Sequence, residues 1–280
     1  MVKRRRTILK EKPQEVKVNA LFLDYDGTIS SLKVPRSKSK VCPANMSVLR
    51  KISQHIPVAI VTTKDLSFIA RRTPFAHAWC ALGGLETKIG DSVITASYPT
   101  KMKRHIKAAL KYARSISGSD IIIEEKSDSK RSIVAFSVDW RNTKNIVKAR
   151  EKALEISSYC EKLRLKTIKY EGQPFFDVFP RSVNKGIALL KLKQKFALSN
   201  GILYMGDSVI DNSAFTVADV GIGVIHDETS INLVCDYFVK FEEVAAFLRS
   251  LLQNGFTFSP KLPMVLQRTE AVRILSKKKL

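Results

Sequence analysis

The chain has 280 residues, 45% hydrophobic and 26% charged, which suits one large or two modest folded domains and excludes wholesale disorder. Its 48 Lys+Arg against 26 Asp+Glu give a net charge of +22, which points to an anionic partner: nucleic acid, an acidic membrane surface or a phosphorylated substrate. No apolar run reaches the ~18–20 residues that span a bilayer, and no apolar segment follows the basic start as in a signal peptide. Cys42, Cys80, Cys160 and Cys235 are too scattered for a zinc site or a disulfide framework. A soluble protein of the reducing cytoplasm is expected.

Residues 1–16, which include Lys3-Arg4-Arg5-Arg6, show no periodicity and are expected to be a basic tail. Three short, nearly continuous apolar runs then end in carboxylate or hydroxyl residues: Val18–Asp24, Pro57–Thr62 and Gly201–Asp207. Such runs are expected of strands covered on both faces. Helical patterns follow them at Pro43–His55, Lys64–Arg72 and Ile210–Ala218. Val220–Val224 and Asp236–Val239 extend the sheet, and Phe241–Leu252 closes it with a helix. This alternation predicts an α/β fold with a doubly wound, Rossmann-like parallel sheet, its ligands bound beyond the carboxyl ends of the strands.

The middle of the chain reads differently. An amphipathic helix at Lys101–Ile116 precedes two strands, Ile121–Lys126 and Ile133–Val138, joined by the polar turn Ser127–Lys130. A second helix, Thr143–Leu163, precedes Leu165–Tyr170 and Pro174–Phe179. The pattern αββαββ predicts a self-contained α+β unit at 99–182, inserted into a core made of 17–98 and 183–258. Residues 259–280 are expected to be a second basic tail. The tails hold about +5 each and the insert +9.

The chemistry gathers at strand ends. Asp24 and Asp26, in Asp24-Tyr25-Asp26-Gly27-Thr28, point to the same side because side-chain direction repeats every two residues. Two converging carboxylates repel unless a cation holds them or one keeps a proton, and either state serves catalysis. Alone, the pattern also fits a calcium-type loop or a simple turn. Its company is more specific: Thr62 ends the second strand, Lys185 opens a helix, and Gly206-Asp207-Ser-Val-Ile-Asp211 ends the third strand.

This set resembles the haloacid dehalogenase-type phosphatases, whose motifs are a D-x-D-G-T nucleophile loop, a strand ending in Ser/Thr, a helix-opening Lys and a G-D-x-x-x-D acidic loop. The resemblance implies that Asp24 is the nucleophile and Asp26 the general acid/base. It implies that Thr62 and Lys185 hold phosphoryl oxygens. Magnesium would be bound by Asp24, Asp26 through its carbonyl, and Asp207, with Asp211 acting through water or as an orienting group. Asp219, His226 and Asp227 match no motif and read as loop residues.

The insert resembles the type-two cap of the sugar-phosphatase branch, closest to the trehalose-6-phosphate phosphatases. Ala81–Glu86, Ile123–Lys126, Val138–Arg141 and Phe176–Gly186 carry that likeness. It implies sugar contacts from Glu124 or Glu125, Lys126, Arg141 and Asp177, and trehalose 6-phosphate as the leading substrate. Sucrose phosphate and mannosyl-3-phosphoglycerate are the alternatives, and a nucleic-acid-binding protein with a secondary phosphatase site is the reading from another class. Thr62-Thr63-Lys64 stands where the family usually has S-G-R, Gly83-Gly84 where it has H-G, and Ser208 where it has a second carboxylate. The insert's positive charge is expected to serve the anionic substrate, and polyanion binding falls to the tails. No membrane partner is expected.

Overall fold

The computed structural model describes residues 15–34, 36–170, 172–226 and 232–277. The tail residues 1–14, loop residue Asp227 and the terminal Lys278 and Lys279 lie outside the described residues. In chain order the first half of the core consists of β1 (Val16–Lys17), β2 (Ala20–Leu23), α1 (Pro43–Ile52), β3 (Val58–Val61), α2 (Leu66–Arg72), β4 (Ala78–Ala81), β5 (Glu86–Ile89) and β6 (Ser92–Thr95). The insert follows as α3 (Thr100–Ser117), β7 (Ile122–Ser127), β8 (Ile133–Asp139), α4 (Ile146–Lys162), β9 (Lys166–Lys169) and β10 (Phe175–Phe179). The chain then returns through α5 (Lys185–Lys195), β11 (Ile202–Gly206), α6 (Asn212–Phe215), β12 (Val220–Ile225), β13 (Tyr237–Lys240), α7 (Val244–Gln253), β14 (Thr257–Phe258) and α8 (Arg268–Lys277).

Eight strands form the main sheet in the order β13-β12-β11-β2-β3-β4-β5-β6. Pairing is parallel from β13 to β4, and the β5–β6 hairpin adds two antiparallel strands at one edge. Strands β2, β3, β11 and β12 are buried at every position because both faces are covered. Leu21, Leu23, Ile60 and Met205 pack toward Val48, Leu49, Phe247 and Leu248 of α1 and α7. Ala20, Phe22, Ala59 and Tyr204 pack toward Leu189, Leu192, Phe215 and Leu275 of α5, α6 and α8. Each Val, Leu, Ile, Phe or Met side chain among them removed from water contributes roughly 1.5–3 kcal/mol. The chain runs from β2 to β3 on one side and returns to β11 on the other, so β2 lies at the topological switch point where a crevice opens beyond the strand ends.

The insert is a four-stranded antiparallel sheet, β7-β8-β10-β9. Helices α3 and α4 cover one face through Ile106, Leu110, Phe136, Ile156 and Phe176. Its other face looks onto the core, where Ala135 and Phe179 meet Leu66, Leu82 and Leu85.

Two regions depart from the expected layout. Strands β4 to β6 were not foreseen: β4 is four residues long, and β6 is exposed throughout, so neither shows a readable alternation. Residues 268–277 are not a tail but helix α8, with Ala271 and Leu275 buried in the core. That i, i+4 apolar pair lies next to the lysine run that suggested a solvated end. At the other terminus β1 pairs with β14, Val16 opposite Phe258.

Candidate active site

Asp24 follows β2, the central strand, and its backbone N–H is held by the Met205 carbonyl of β11 at 2.9 Å. The next turn reverses at Gly27, whose φ is +73°; a Cβ there would come within 2.1 Å of Asp207 Oδ2. Glycine is therefore required twice, for the left-handed backbone and for the close approach of the acidic loop. Gly206 is constrained similarly, since its Cβ would meet Asp211 Cγ at 2.4 Å.

Asp24, Asp207 and Asp211 are buried and bring one carboxylate oxygen each to within 4.8 Å of one another. Lys185, capped into place as the first residue of α5 by the Asn184 side chain, sends its Nζ to Asp24 Oδ1 at 2.8 Å and Asp211 Oδ1 at 2.7 Å. Burial would strip the proton from Lys185, but Asp211 and Asp24 more than offset it and hold the ammonium well above its ordinary pKa. One ammonium does not balance the carboxylates: burial, then the neighbouring Asp211 and Asp207 charges, push Asp24 well above the usual range against the opposing pull of Lys185. Burial and Asp211 do the same to Asp207. This buried excess of negative charge, presented by oxygen donors alone, fits a hard divalent cation such as magnesium.

The cluster divides by what each carboxylate already touches. Asp211 Oδ1 accepts from Lys185 and from Tyr204 Oη at 2.5 Å, while Oδ2 accepts from the Ser208 backbone and hydroxyl, both at 3.0 Å. Its lone pairs are committed to the protein, which makes it the group that orients Lys185 and the acidic loop. Asp24 and Asp207 line the cavity, whereas Asp211 does not. Ser208, at the position where the likeness led one to expect a carboxylate, caps the turn at Val209–Asp211.

Asp26 stands on the same side as Asp24 and pairs with Lys64 Nζ at 3.2 Å. Thr62 directly follows β3, buried, and its Oγ1 accepts the Lys64 backbone N–H at 3.2 Å. The residues that line the cavity from this strand end are Thr63 and Lys64.

The cavity has a volume of about 370 Å³, within the ~300–1,000 Å³ typical of small-molecule sites. The insert's sheet forms its far wall. Alternation on β7 sends Glu124 toward the cavity and Glu125 to the opposite face, where it pairs with Arg114 of α3. Glu125 is thus removed from the expected sugar-contact set. Asp177 lines the cavity from β10, and Lys126 sits behind it, 1% exposed, with Nζ 2.6 Å from Asp177 Oδ1. Burial raises the Asp177 carboxyl, but Lys126 and the Ser137 hydroxyl at 2.5 Å more than offset this and leave it below its ordinary value. Arg141 faces the cavity, grips Asp139 through two nitrogens, and donates to the Leu32 carbonyl of the core at 3.1 Å.

Among the cavity residues missed from sequence, three make polar links that hold the site together. His226, read as a loop residue, places Nε2 2.8 Å from Asp207 Oδ2 at the end of β12. Tyr170 links Asp177 Oδ2 at 2.9 Å to Thr63 Oγ1 at 3.4 Å, bridging insert and core. Arg36 pairs with Asp65, the N-cap of α2, and approaches Glu124 of the insert at 4.0 Å. Position beyond a parallel strand was the available signal for His226; Tyr170 and Arg36 carried none.

Comparison with known proteins agrees with this geometry. A family model described as haloacid dehalogenase-like hydrolase matches residues 87–250, more than half of the chain. A trehalose-phosphate phosphatase of Mycobacterium leprae is 32% identical over 60 residues, a match that spans 21% of this chain and 14% of that protein. Among solved structures, the C-terminal domain of a trehalose-6-phosphate phosphatase from C. albicans superimposes with a TM-score of 0.68 at 16% identity, covering 86% of this chain and 93% of the other. A trehalose-6-phosphate phosphatase related protein gives 0.64 at 19% identity over 84% and 98%. A sugar phosphatase of haloacid dehalogenase subclass IIB gives 0.57 at 12% identity over 85% and 100%. These likenesses concern the fold; the family match over residues 87–250 assigns the chain, which belongs to the haloacid dehalogenase-like hydrolase family.

Proposed function

We propose that the protein is a magnesium-dependent sugar-phosphate phosphatase working through an aspartyl-phosphate on Asp24, with trehalose 6-phosphate as its leading substrate. The observation that carries this reading is the Asp24–Lys185–Asp211 cluster opening into a cavity whose far wall is polar: Glu124, Ser137, Asp139, Arg141 and Asp177. A phosphoryl group seated over Asp24 meets an ammonium already fixed by two carboxylates, so little reorganisation is needed as charge spreads over the phosphoryl oxygens.

In the first step an Asp24 carboxylate oxygen attacks phosphorus, the bond from phosphorus to the sugar oxygen breaks, and Asp26 delivers a proton to that oxygen. In the second, Asp26 takes a proton from water, whose oxygen attacks the phosphorus, and the acyl-phosphate bond breaks to return Asp24. Asp26 is suited to both roles because it sits at the cavity mouth, partly exposed and paired to Lys64. Asp24, Asp207 and the Asp26 carbonyl would hold the magnesium ion, which supplies neutralisation of the phosphoryl charge and alignment for in-line attack.

The polar wall favours a sugar, because hydroxyls need both donors and acceptors and an unpaired buried partner costs roughly 1–3 kcal/mol. Glu124 and Asp177 offer acceptors, and Arg141 offers donors. The similarity to trehalose-phosphate phosphatases also favours trehalose 6-phosphate over the alternatives, sucrose phosphate and mannosyl-3-phosphoglycerate. Phosphate release should be measured across these sugar phosphates, with magnesium and with a chelator. Magnesium-dependent turnover is expected, highest on trehalose 6-phosphate, with Asp24→Asn at least about a thousandfold slower. Equal release by wild type and Asp24→Asn on every compound would overturn the reading.

A further inference from the structure

The insert's positive charge does not sit where its substrate would. Of its 19 Lys and Arg residues, only Arg141 and Lys169 line the cavity among the described residues, and Lys126 is buried behind Asp177. Much of the remainder lies on the outer surface of α3. That helix contains six Lys and Arg and no acidic residue over its 18 positions. Its buried face is Ile106, Ala109, Leu110, Ala113 and Ser117. Lys101, Lys103, Arg104, Lys107, Lys111 and Arg114 are all exposed.

Four of these make a stripe. Arg104, Lys107, Lys111 and Arg114 follow at spacings of three, four and three, which on an α-helix confines them to an arc of about 80° over a length of about 15 Å. Arg114 is paired with Glu125, whereas Lys101, Arg104, Lys107 and Lys111 have no ion pair among the described residues. Beside the stripe, Tyr112 stacks on Tyr159 of α4, ring centroids 4.2 Å apart and 25° from parallel. Like charges this close repel one another at a cost, and the substrate cavity on the insert's opposite face gains nothing from it.

We infer that the outer face of α3 is a nucleic-acid-binding surface that takes the phosphate backbone of a single strand. A line of cations at helical spacing matches a polyanion whose charges repeat along its length, and an adjacent aromatic pair offers a platform for an unstacked base. An anionic membrane fits less well. Interfacial helices insert large apolar side chains, and none of the exposed large hydrophobic residues lies on α3.

The test uses the full chain, a labelled oligouridylate, and vesicles with and without phosphatidylserine. Wild type should bind the oligonucleotide with an affinity that falls with salt; four phosphate contacts correspond to a slope of log affinity on log salt of about −3. Arg104→Glu with Lys111→Glu should halve that slope and lower affinity at low salt at least about tenfold. The paired Gln variants should fall between. Phosphate release by both variants should stay at the wild-type level, which reports an intact fold. Three results would overturn the inference: affinity and slope unchanged in the charge-reversed variant while Gln at Arg4, Arg5 and Arg6 abolishes binding; no oligonucleotide binding by wild type; or retention by phosphatidylserine vesicles alone.

Discussion

Asp207 is the residue on which the site's geometry converges. It faces the backbone of Gly27 on one side and receives His226 Nε2 on the other. In the proposed magnesium site, a histidine on the outer oxygen of Asp207 would fix that carboxylate's rotamer, and losing such a partner typically costs 10–100-fold in metal affinity. His226→Ala is therefore expected to raise the magnesium concentration for half-maximal activity by about that factor while kcat at saturating magnesium is largely retained. An unchanged magnesium requirement would remove His226 from the site. Gly27→Ala is expected to be far more damaging: the added carbon collides with Asp207, and the left-handed backbone costs a further ~1 kcal/mol or more. Its unfolding midpoint and its activity should both fall. Asp24, Asp26, Lys185, Asp207 and Asp211 were legible in sequence because each chemical role demands one residue type at a strand end or helix start. His226 was not, because a single histidine beyond a strand has no spacing to mark it. Glu124 and Glu125 were separable only once the register of β7 was fixed.

At the scale of elements, the wall of the cavity depends on a buried ion pair that reaches across the insert's sheet, over the intervening strand β8. Lys126 on β7 and Asp177 on β10 are both almost fully buried, and Ser137 and Tyr170 complete the carboxylate's hydrogen bonds. Removing one partner of such a pair costs about 3–5 kcal/mol, whereas replacing both with apolar residues is often close to neutral. Lys126→Met alone is thus expected to lower stability by about that amount, and Lys126→Met with Asp177→Leu to recover most of it, as read by urea unfolding. The pair also sets an acid response. The Asp177 carboxyl is lower in the folded protein than its unfolded value of about 3.9, so its contribution is fully present above that value and is lost as pH falls through the folded one. Lys126 stays charged in folded and unfolded chains over this range and adds no slope. Between about pH 5 and pH 3, Asp177→Asn should therefore be less stable than wild type at the upper end and show a shallower decline. The insert's own elements were readable because polar turns separate its strands and its helices are long and amphipathic. The β4–β6 edge was not, since exposed or very short strands leave no periodicity in the sequence.

For the whole molecule, the net charge of +22 has a meaning only once the fold is known. Sequence counting located +9 in the insert and associated it with an anionic substrate, but counting cannot say which face of a sheet a lysine occupies. The fold turns most of that charge outward, onto α3, and leaves the cavity with a near balance of acids and bases. The C-terminal segment changed meaning for the same reason, when the Ala271–Leu275 face of α8 proved to complete the core. None of the described helices is long and apolar enough to cross a membrane. The core and insert together line a cavity in which the Asp24 carboxylate faces a polar wall, and the central claim is that phosphoryl transfer occurs there, onto that residue. Borohydride reduces an aspartyl-phosphate to homoserine, so the most direct measurement is borohydride treatment during turnover of trehalose 6-phosphate with magnesium, followed by peptide mass mapping. The expected result is homoserine at position 24, absent without substrate or with a chelator; an unmodified Asp24 under turnover, or homoserine at another carboxylate, would contradict it.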